Sequence, residues 1–343
     1  MGIHERLRLS KVINAKGTYT PLGVSRSSAA VIAAVAEALP EFVVMEELAD
    51  RASEVIADAT GAQAGAVVHC TAAAITVAVA AAMAGTDPER IAALPDTTGM
   101  KNRAVVLEGQ EVNYGQSNLQ AIRLAGARVS LVGQLAFSDD VACLVLVSSR
   151  LAQQVDLAAA VRAAHDHGVP VIIDGAAQFP RVGELLATGA DAVLVSGQKY
   201  LASPTAGLVL GSREFVRAVR AQDKGIGRGM KPTKEAIAGV IAAIGEWRPD
   251  TWLAGEAAKV ADFVREAAKI PGVEAREWPD PAGLPVTRAV LTVDDAVGLA
   301  AELEAGDPPI FVMVHGDELA LELVSLGESE VRVILDRLRA IGC

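Results

Sequence analysis

Residues 171–178, VIIDGAAQ, and residues 189–211, GADAVLVSGQKYLASPTAGLVLG, decide how the rest of the chain is read. Each contains an apolar, β-branched run too short for a helix and bounded by glycine, which predicts a buried strand. The first run ends on Asp174, and the second delivers Ser196, Gly197 and Lys199. A charged group placed immediately after a buried strand lies at the carboxyl edge of the sheet, where open α/β sheets put their ligands. Between the two runs Val182–Thr188 predicts a helix, so the segment has the strand–helix–strand form of a parallel sheet.

Working outward, the same alternation extends on both sides. Strands are expected at Ala104–Leu107, Arg128–Leu131, Ala142–Val147, Val169–Asp174, Ala192–Ser196 and Gly207–Leu210. Helices are expected at Gln116–Leu124 and Leu157–His167, the latter stopped by Gly168 and Pro170. Past Asp250 the pattern changes to helix Glu256–Lys269, strand Thr287–Val293, helix Asp295–Glu304, strands Ile310–Val314 and Ala320–Val324, and helix Ser329–Ile341. The expected fold class is therefore α/β, a three-layer and mainly parallel sheet with a smaller C-terminal α+β domain. The expected division is an N-terminal arm over residues 1–30, a large domain over 31–248 and a small domain over 249–343, with Pro249 interrupting the helical pattern at the boundary.

Composition narrows the function. Hydrophobic residues make up 51% of 343 and charged residues 21%, enough to bury a large core. Aromatics are only 3%, and Ala and Val fill the gap, which suits helices packed closely on a sheet. The net charge of −11 argues against nucleic acid as a general partner but leaves room for a basic pocket that takes a small anion. Cys70, Cys143 and Cys343 form no CxxC pair and no metal-ligand cluster, so no metal is expected. MGIHERLRLSKV lacks an apolar signal core and the Ala-rich run Thr71–Ala84 is too short to span a bilayer, so a cytoplasmic protein without a membrane partner is expected.

The two edge groups suggest a chemistry. Lys199 lies 25 positions after Asp174, on the next predicted strand end. A lysine amine and a carboxylate in this arrangement suit pyridoxal 5′-phosphate (PLP). The amine forms a Schiff base with the cofactor aldehyde, and the carboxylate keeps the pyridine nitrogen protonated so that the ring accepts electrons. Gly175 and Ala176 let the ring approach the backbone, and Ser196 offers a hydroxyl to the phosphate. In HCTAAAITVAVAAAM, residues 69–83, Thr71 is the expected N-cap, and the free amides of Thr71, Ala72, Ala73 and Ala74 suit an anion at a helix start.

With these residues in view, the chain resembles the PLP-dependent aspartate-aminotransferase superfamily and, within it, the selenocysteine-synthase-like group. Within that group it is most similar to the D-glucosaminate-6-phosphate ammonia-lyase branch. The resemblance rests on INAKGTYTPLG (13–23), TGAQAGAVVHCTAAA (60–74), LPDTTGMK (94–101), VNYGQSNLQAIRLAGARV (112–129), the two decisive stretches and AQDKGIGRGMKPTKEAIAGV (221–240). It implies a PLP-transferase architecture and a lyase that releases ammonia from a small anionic 2-amino-3-hydroxy acid or amino-sugar acid. Lys199 would hold the cofactor and act as base, and Asp174 would hold the ring nitrogen. It also implies an active site built in a homodimer or a higher homo-oligomer. Arg150 is expected to bind a substrate carboxylate, and Arg228 with Lys231 a carboxylate or sugar phosphate. The chain departs from the lyase pattern at Gln110 and at Ser149-Arg150, where histidines are expected.

Other readings share the pattern: selenium transfer to seryl-tRNA, racemisation or transamination of an amino acid, and a catalytically silent regulator. The acidic net charge weighs against the first, and the presence of both Lys199 and Asp174 against the last. No GxGxxG follows an early strand, which removes the nicotinamide-binding fold. His165 and His167 read as partners of a helix end, and Asp294-Asp295 as a helix cap, not a metal site.

Overall fold

Val171–Asp174 and Ala192–Ser196 are neighbouring parallel strands near the middle of a seven-stranded sheet in the computed structural model, which describes residues 2–113 and 116–342. Tyr114 and Gly115 of the VNYGQSNLQ block, and Cys343, lie outside the described residues. The chain forms two compact units, one spanning Ser27–Trp247 and one built from both ends, Met1–Arg26 with Arg248–Cys343. The end-built unit opens with β1 (Ile13–Asn14). The larger unit then supplies β2 (Ala64–Val68), β3 (Arg103–Leu107), β4 (Arg128–Val132), β5 (Val141–Val147), β6 (Val171–Asp174), β7 (Ala192–Ser196) and β8 (Gly207–Gly211). The chain returns to the first unit with β9 (Glu274–Trp278), β10 (Arg288–Thr292), β11 (Ile310–Phe311), β12 (Met313–His315) and β13 (Glu318–Leu321).

In the larger unit the strand order is β2-β8-β7-β6-β5-β3-β4. Only β8 runs against the rest, pairing antiparallel with β2 and β7. The carboxyl ends of the other six strands therefore share one edge. β5 (VACLVLV), β6 (VIID) and β7 (AVLVS) are buried along their whole length because helices cover both faces, which is why they read as continuous apolar runs rather than alternating ones. One face packs on helices Thr71–Ala84, Asn118–Leu124 and Arg213–Ala221 through Ala104, Val106, Cys143, Val145, Ile172 and Leu194. The other packs on Met45–Thr60, Leu157–His165 and Lys234–Glu246 through Val105, Leu144, Leu146, Ile173 and Val193. Each fully buried Val, Leu or Ile contributes about 1.5–3 kcal/mol of transfer free energy. The Thr71–Ala84 helix is apolar on nearly every side because it is enclosed between the sheet and outer helices, and its alanines permit the close approach.

The end-built unit holds a four-stranded antiparallel sheet, β12-β13-β10-β9, with β1 pairing in parallel with β11. Its core joins Val260, Phe263, Leu291, Leu319, Leu321 and Leu338. Three expectations change here. The helix expected at Glu256–Lys269 begins earlier, on Pro249, whose missing amide hydrogen costs nothing at a first helical position, and it is separate from the helix that ends at Glu246. The expected strand Ile310–Val314 divides into β11 and β12, which pair with different partners. The expected strand Ala320–Val324 lies earlier, at Glu318–Leu321, since it takes its register from β10. Asp295 caps its helix through the Gly298 amide at 2.8 Å, as its sequence position suggests.

Candidate active site

Along a strand successive side chains alternate between the two faces. Asp174 has the parity of Ile172, and Ser196 that of Leu194, so both side chains face the Thr71–Ala84 helix at the carboxyl edge. Asp174 pairs with Leu194 across β6 and β7, and the Ser196 amide donates to the Ala176 carbonyl at 3.0 Å. On the far side of β7, Ser196 pairs with Gly207, which in turn pairs with Val68 at the end of β2. The chain leaves Val68 through His69 and Cys70 directly into the helix. The carboxylate, the serine and the helix start thus converge on one edge.

Asp174 is only 4% exposed. Its Oδ1 accepts from the Ala176 amide at 3.0 Å, a short turn that fixes the carboxylate orientation. Burial pushes its carboxyl above the usual range, while the Ala176 amide and the charge of Lys199 pull it back. Lys199 is half-buried and sits in a tight loop: Gly197 donates to Ala206 at 2.9 Å, Ser203 to Gly197 at 3.0 Å, and Ala202, at φ +54°, to the Lys199 carbonyl at 3.0 Å. The loop fixes where Lys199 begins.

The helix start differs from expectation in one respect. Cys70, not Thr71, is the N-cap: its backbone is extended and its carbonyl accepts the first helical bond, from Ala74 at 2.9 Å. The amide set left for an anion shrinks to Thr71, Ala72 and Ala73, and no side chain caps the helix. Thr71 is half-buried, Ala72 exposed and Ala73 buried. Gly207 is needed beneath this turn. A Cβ there would come within 2.4 Å of the Cys70 carbonyl oxygen and 2.8 Å of the Thr71 nitrogen.

The basic candidates divide. Arg150 is half-buried in the turn that follows β5, at the same edge. Arg228 is exposed in the turn Ile226–Met230, which is tied to the helix start by the His69 amide donating to the Met230 carbonyl at 2.8 Å. Lys231 is exposed, and its charge acts on Asp223, whose carboxyl is raised by burial and lowered by Lys231 and Arg220. His165 bonds Asp191 at 2.9 Å and His167 the Ala163 carbonyl at 3.0 Å, both structural contacts. Among the described residues no cluster of His, Cys, Asp or Glu could hold a metal ion, and no helix is long and apolar enough to cross a membrane.

The roles of three residues were not legible in the sequence, although Gln110 stood out there as a departure from the lyase pattern. Gly207 was legible only as a glycine opening a strand, a position with no obvious need for one. Gln178, four residues after Asp174 and 2% exposed, keeps an Oε1 without a partner, a buried acceptor awaiting a donor. Gln110, fully buried, bonds two backbones described below. A cofactor with a cationic ring nitrogen, an aldehyde and a phosphate fits this donor set. The buried carboxylate wants a positive partner, the lysine supplies an amine, and the three amides with Ser196 suit an anion.

Known proteins resemble the chain over most of its length. The family model described as beta-eliminating lyase matches residues 41–278. D-glucosaminate-6-phosphate ammonia lyase of Salmonella typhimurium (strain 14028s / SGSC 2262) is 33% identical over 99% of this chain and 98% of its own length. 5′-C-glycyluridine monooxygenase-decarboxylase of Streptomyces sp is 34% identical over 98% of this chain and 91% of its own. A solved structure of a D-glucosaminate-6-phosphate ammonia-lyase superposes with a TM-score of 0.88 at 32% identity, covering 100% of this chain and 98% of that one. The chain belongs to the beta-eliminating lyase family, a family of enzymes that work with pyridoxal 5′-phosphate.

Proposed function

We propose that the protein is a PLP-dependent ammonia-lyase acting on a 2-amino-3-hydroxy acid, with an amino-sugar acid of the D-glucosaminate 6-phosphate type as the model substrate. The observation that carries this reading is the placement of buried Asp174 at the end of β6, of Ser196 and Lys199 at and just past the end of the adjacent β7, and of an uncapped helix start on the same sheet edge. Lys199 would hold the cofactor through Nζ, and Asp174 would hold its ring nitrogen. The amides of Thr71, Ala72 and Ala73 and the Ser196 hydroxyl hold the phosphate, and Ala176 gives the ring room. When bound, PLP supplies an electron sink for the pair left at the substrate Cα. Lys199 Nζ, beside the substrate Cα, would take its proton as the general base. Arg150 orients the substrate carboxylate, and Arg228, with Lys231 in support, meets the anionic far end. Loss of the 3-hydroxyl as water and uptake of water at C2 convert the substrate to a 2-oxo acid and ammonium, with no oxidant consumed. A homodimer is proposed on the exposed apolar run Leu39, Phe42, Val43, Val44 and Met45, which is apolar surface suited to burial against a second copy.

The test is a panel of 2-amino-3-hydroxy acids, with and without a terminal phosphate, assayed for ammonia and 2-oxo acid. Equal release of both from one member supports the lyase. Exchange of the Cα proton without ammonia points to racemisation and contradicts it. The resemblance to the glycyluridine monooxygenase-decarboxylase favours one second reading, in which the same site releases carbon dioxide with dioxygen as co-substrate. Carbon dioxide release that stops under anaerobic conditions would select that reading.

A further inference from the structure

Gln110 is buried completely, yet it is one of the positions where the lyase resemblance leads one to expect a histidine. Its carboxamide bonds at both ends. Oε1 accepts from the Val147 amide at 2.5 Å, and Nε2 donates to the Gln153 carbonyl at 2.5 Å. The turn that presents it is tight: Gln110 donates from its backbone to Leu107 at 3.0 Å, and Gln153 to Gly109 at 2.7 Å. Gly109 has φ +81°, and a Cβ there would press within 2.6 Å of the Gln153 side chain.

The backbone pairing of β3 with β5 runs to Val106 and Val145. Two residues later the Gln110 side chain takes the place of a backbone acceptor for Val147, so it extends the ladder past the point where β3 has turned away. On its other side β5 holds Asp174. Val147 pairs with Asp174, and the Ser148 amide donates to the Asp174 carbonyl at 2.8 Å. We propose that Gln110 is a positioning residue for Asp174, acting through Val147 and Ser148 to fix where the carboxylate meets the cofactor ring. The inference rests on the cofactor assignment and not on the substrate.

The test compares Gln110→Met, which keeps the volume and loses both bonds, with Gln110→Glu, which enters protonated and retains an acceptor and a donor. Both are purified as apoprotein, titrated with PLP and examined for the visible absorption spectrum of the bound cofactor. Gln110→Met is expected to weaken PLP binding about tenfold, consistent with an unsatisfied buried amide, and to alter the spectrum. Gln110→Glu is expected to restore both. Should Gln110→Met fail to fold, Gln110→Asn, whose shorter arm cannot span both partners, is expected to show the same changes. A folded Gln110→Met or Gln110→Asn variant with unaltered affinity and spectrum overturns the proposal, as does a Gln110→Glu variant that behaves like Gln110→Met. Because no substrate enters the measurement, a failure of ammonia release leaves its outcome untouched.

Discussion

Gly207→Ala places a methyl group where the helix start crosses the sheet. The added Cβ would lie 2.4 Å from the Cys70 oxygen, 2.5 Å from its carbonyl carbon and 2.8 Å from the Thr71 nitrogen. Such atoms normally sit about 3.5 Å apart, so either β8 or the helix start has to retreat by about 1 Å. All the obstructing atoms are backbone, and no rotamer change relieves them. The cost of such overpacking is about 1–3 kcal/mol of stability. The retreat also moves the Thr71 amide away from the proposed phosphate position. A hydrogen bond to a charged group contributes roughly 1.5–3 kcal/mol, so losing one weakens PLP binding about 10- to 100-fold. Denaturant unfolding of the apoprotein measures the first quantity, and titration with PLP the second. A folded Gly207→Ala variant that binds PLP as tightly as the wild type would refute the assignment of these amides to the phosphate.

Two further substitutions separate charge from packing. Asp174 has a folded-state pKa raised above its unfolded value, so ionising it weakens the apoprotein as pH climbs through that interval. Apo Asp174→Asn is therefore expected to match the wild type at low pH, where both are neutral. It is expected to become the more stable of the two as pH rises, while losing activity in the holoenzyme; thermal melting across pH checks the sign, and a wild-type advantage that grows with pH contradicts it. In the end-built unit Arg288 bonds Asp280 at 2.9 Å and Glu322 at 2.7 Å, all nearly inaccessible. Arg288→Ala strands two buried carboxylates and is expected to cost about 3–5 kcal/mol in denaturant unfolding, with a loss below about 1 kcal/mol, the range of an exposed ion pair, counting against the buried-network reading.

The central sheet was legible because its strands are buried on both faces. Runs such as VIID and AVLVS carry their own signal, and their polar ends announce the site. β2, AGAVV, was not read as a strand because its residues are small and few, and its pairing depends on β8 from far along the chain. β9, EAREW, was missed for the opposite reason: it is a polar edge strand whose place is set by β10. Asp174, Ser196 and Lys199 were visible from local pattern. Gln110 was seen as a departure from the lyase pattern, but its role was not, because its partners are backbone groups 37 and 43 residues away. The cap moved from Thr71 to Cys70 because an extended backbone, rather than a capping side chain, begins that helix.

One lysine is claimed to carry the cofactor, and borohydride reduction of the purified holoprotein followed by peptide mapping asks which one. A pyridoxyl phosphate mass is expected on Lys199, in the stretch Ser196–Ala202, and is expected to disappear in Lys199→Ala. A label on any other lysine, or none on a protein that has bound PLP, would contradict it.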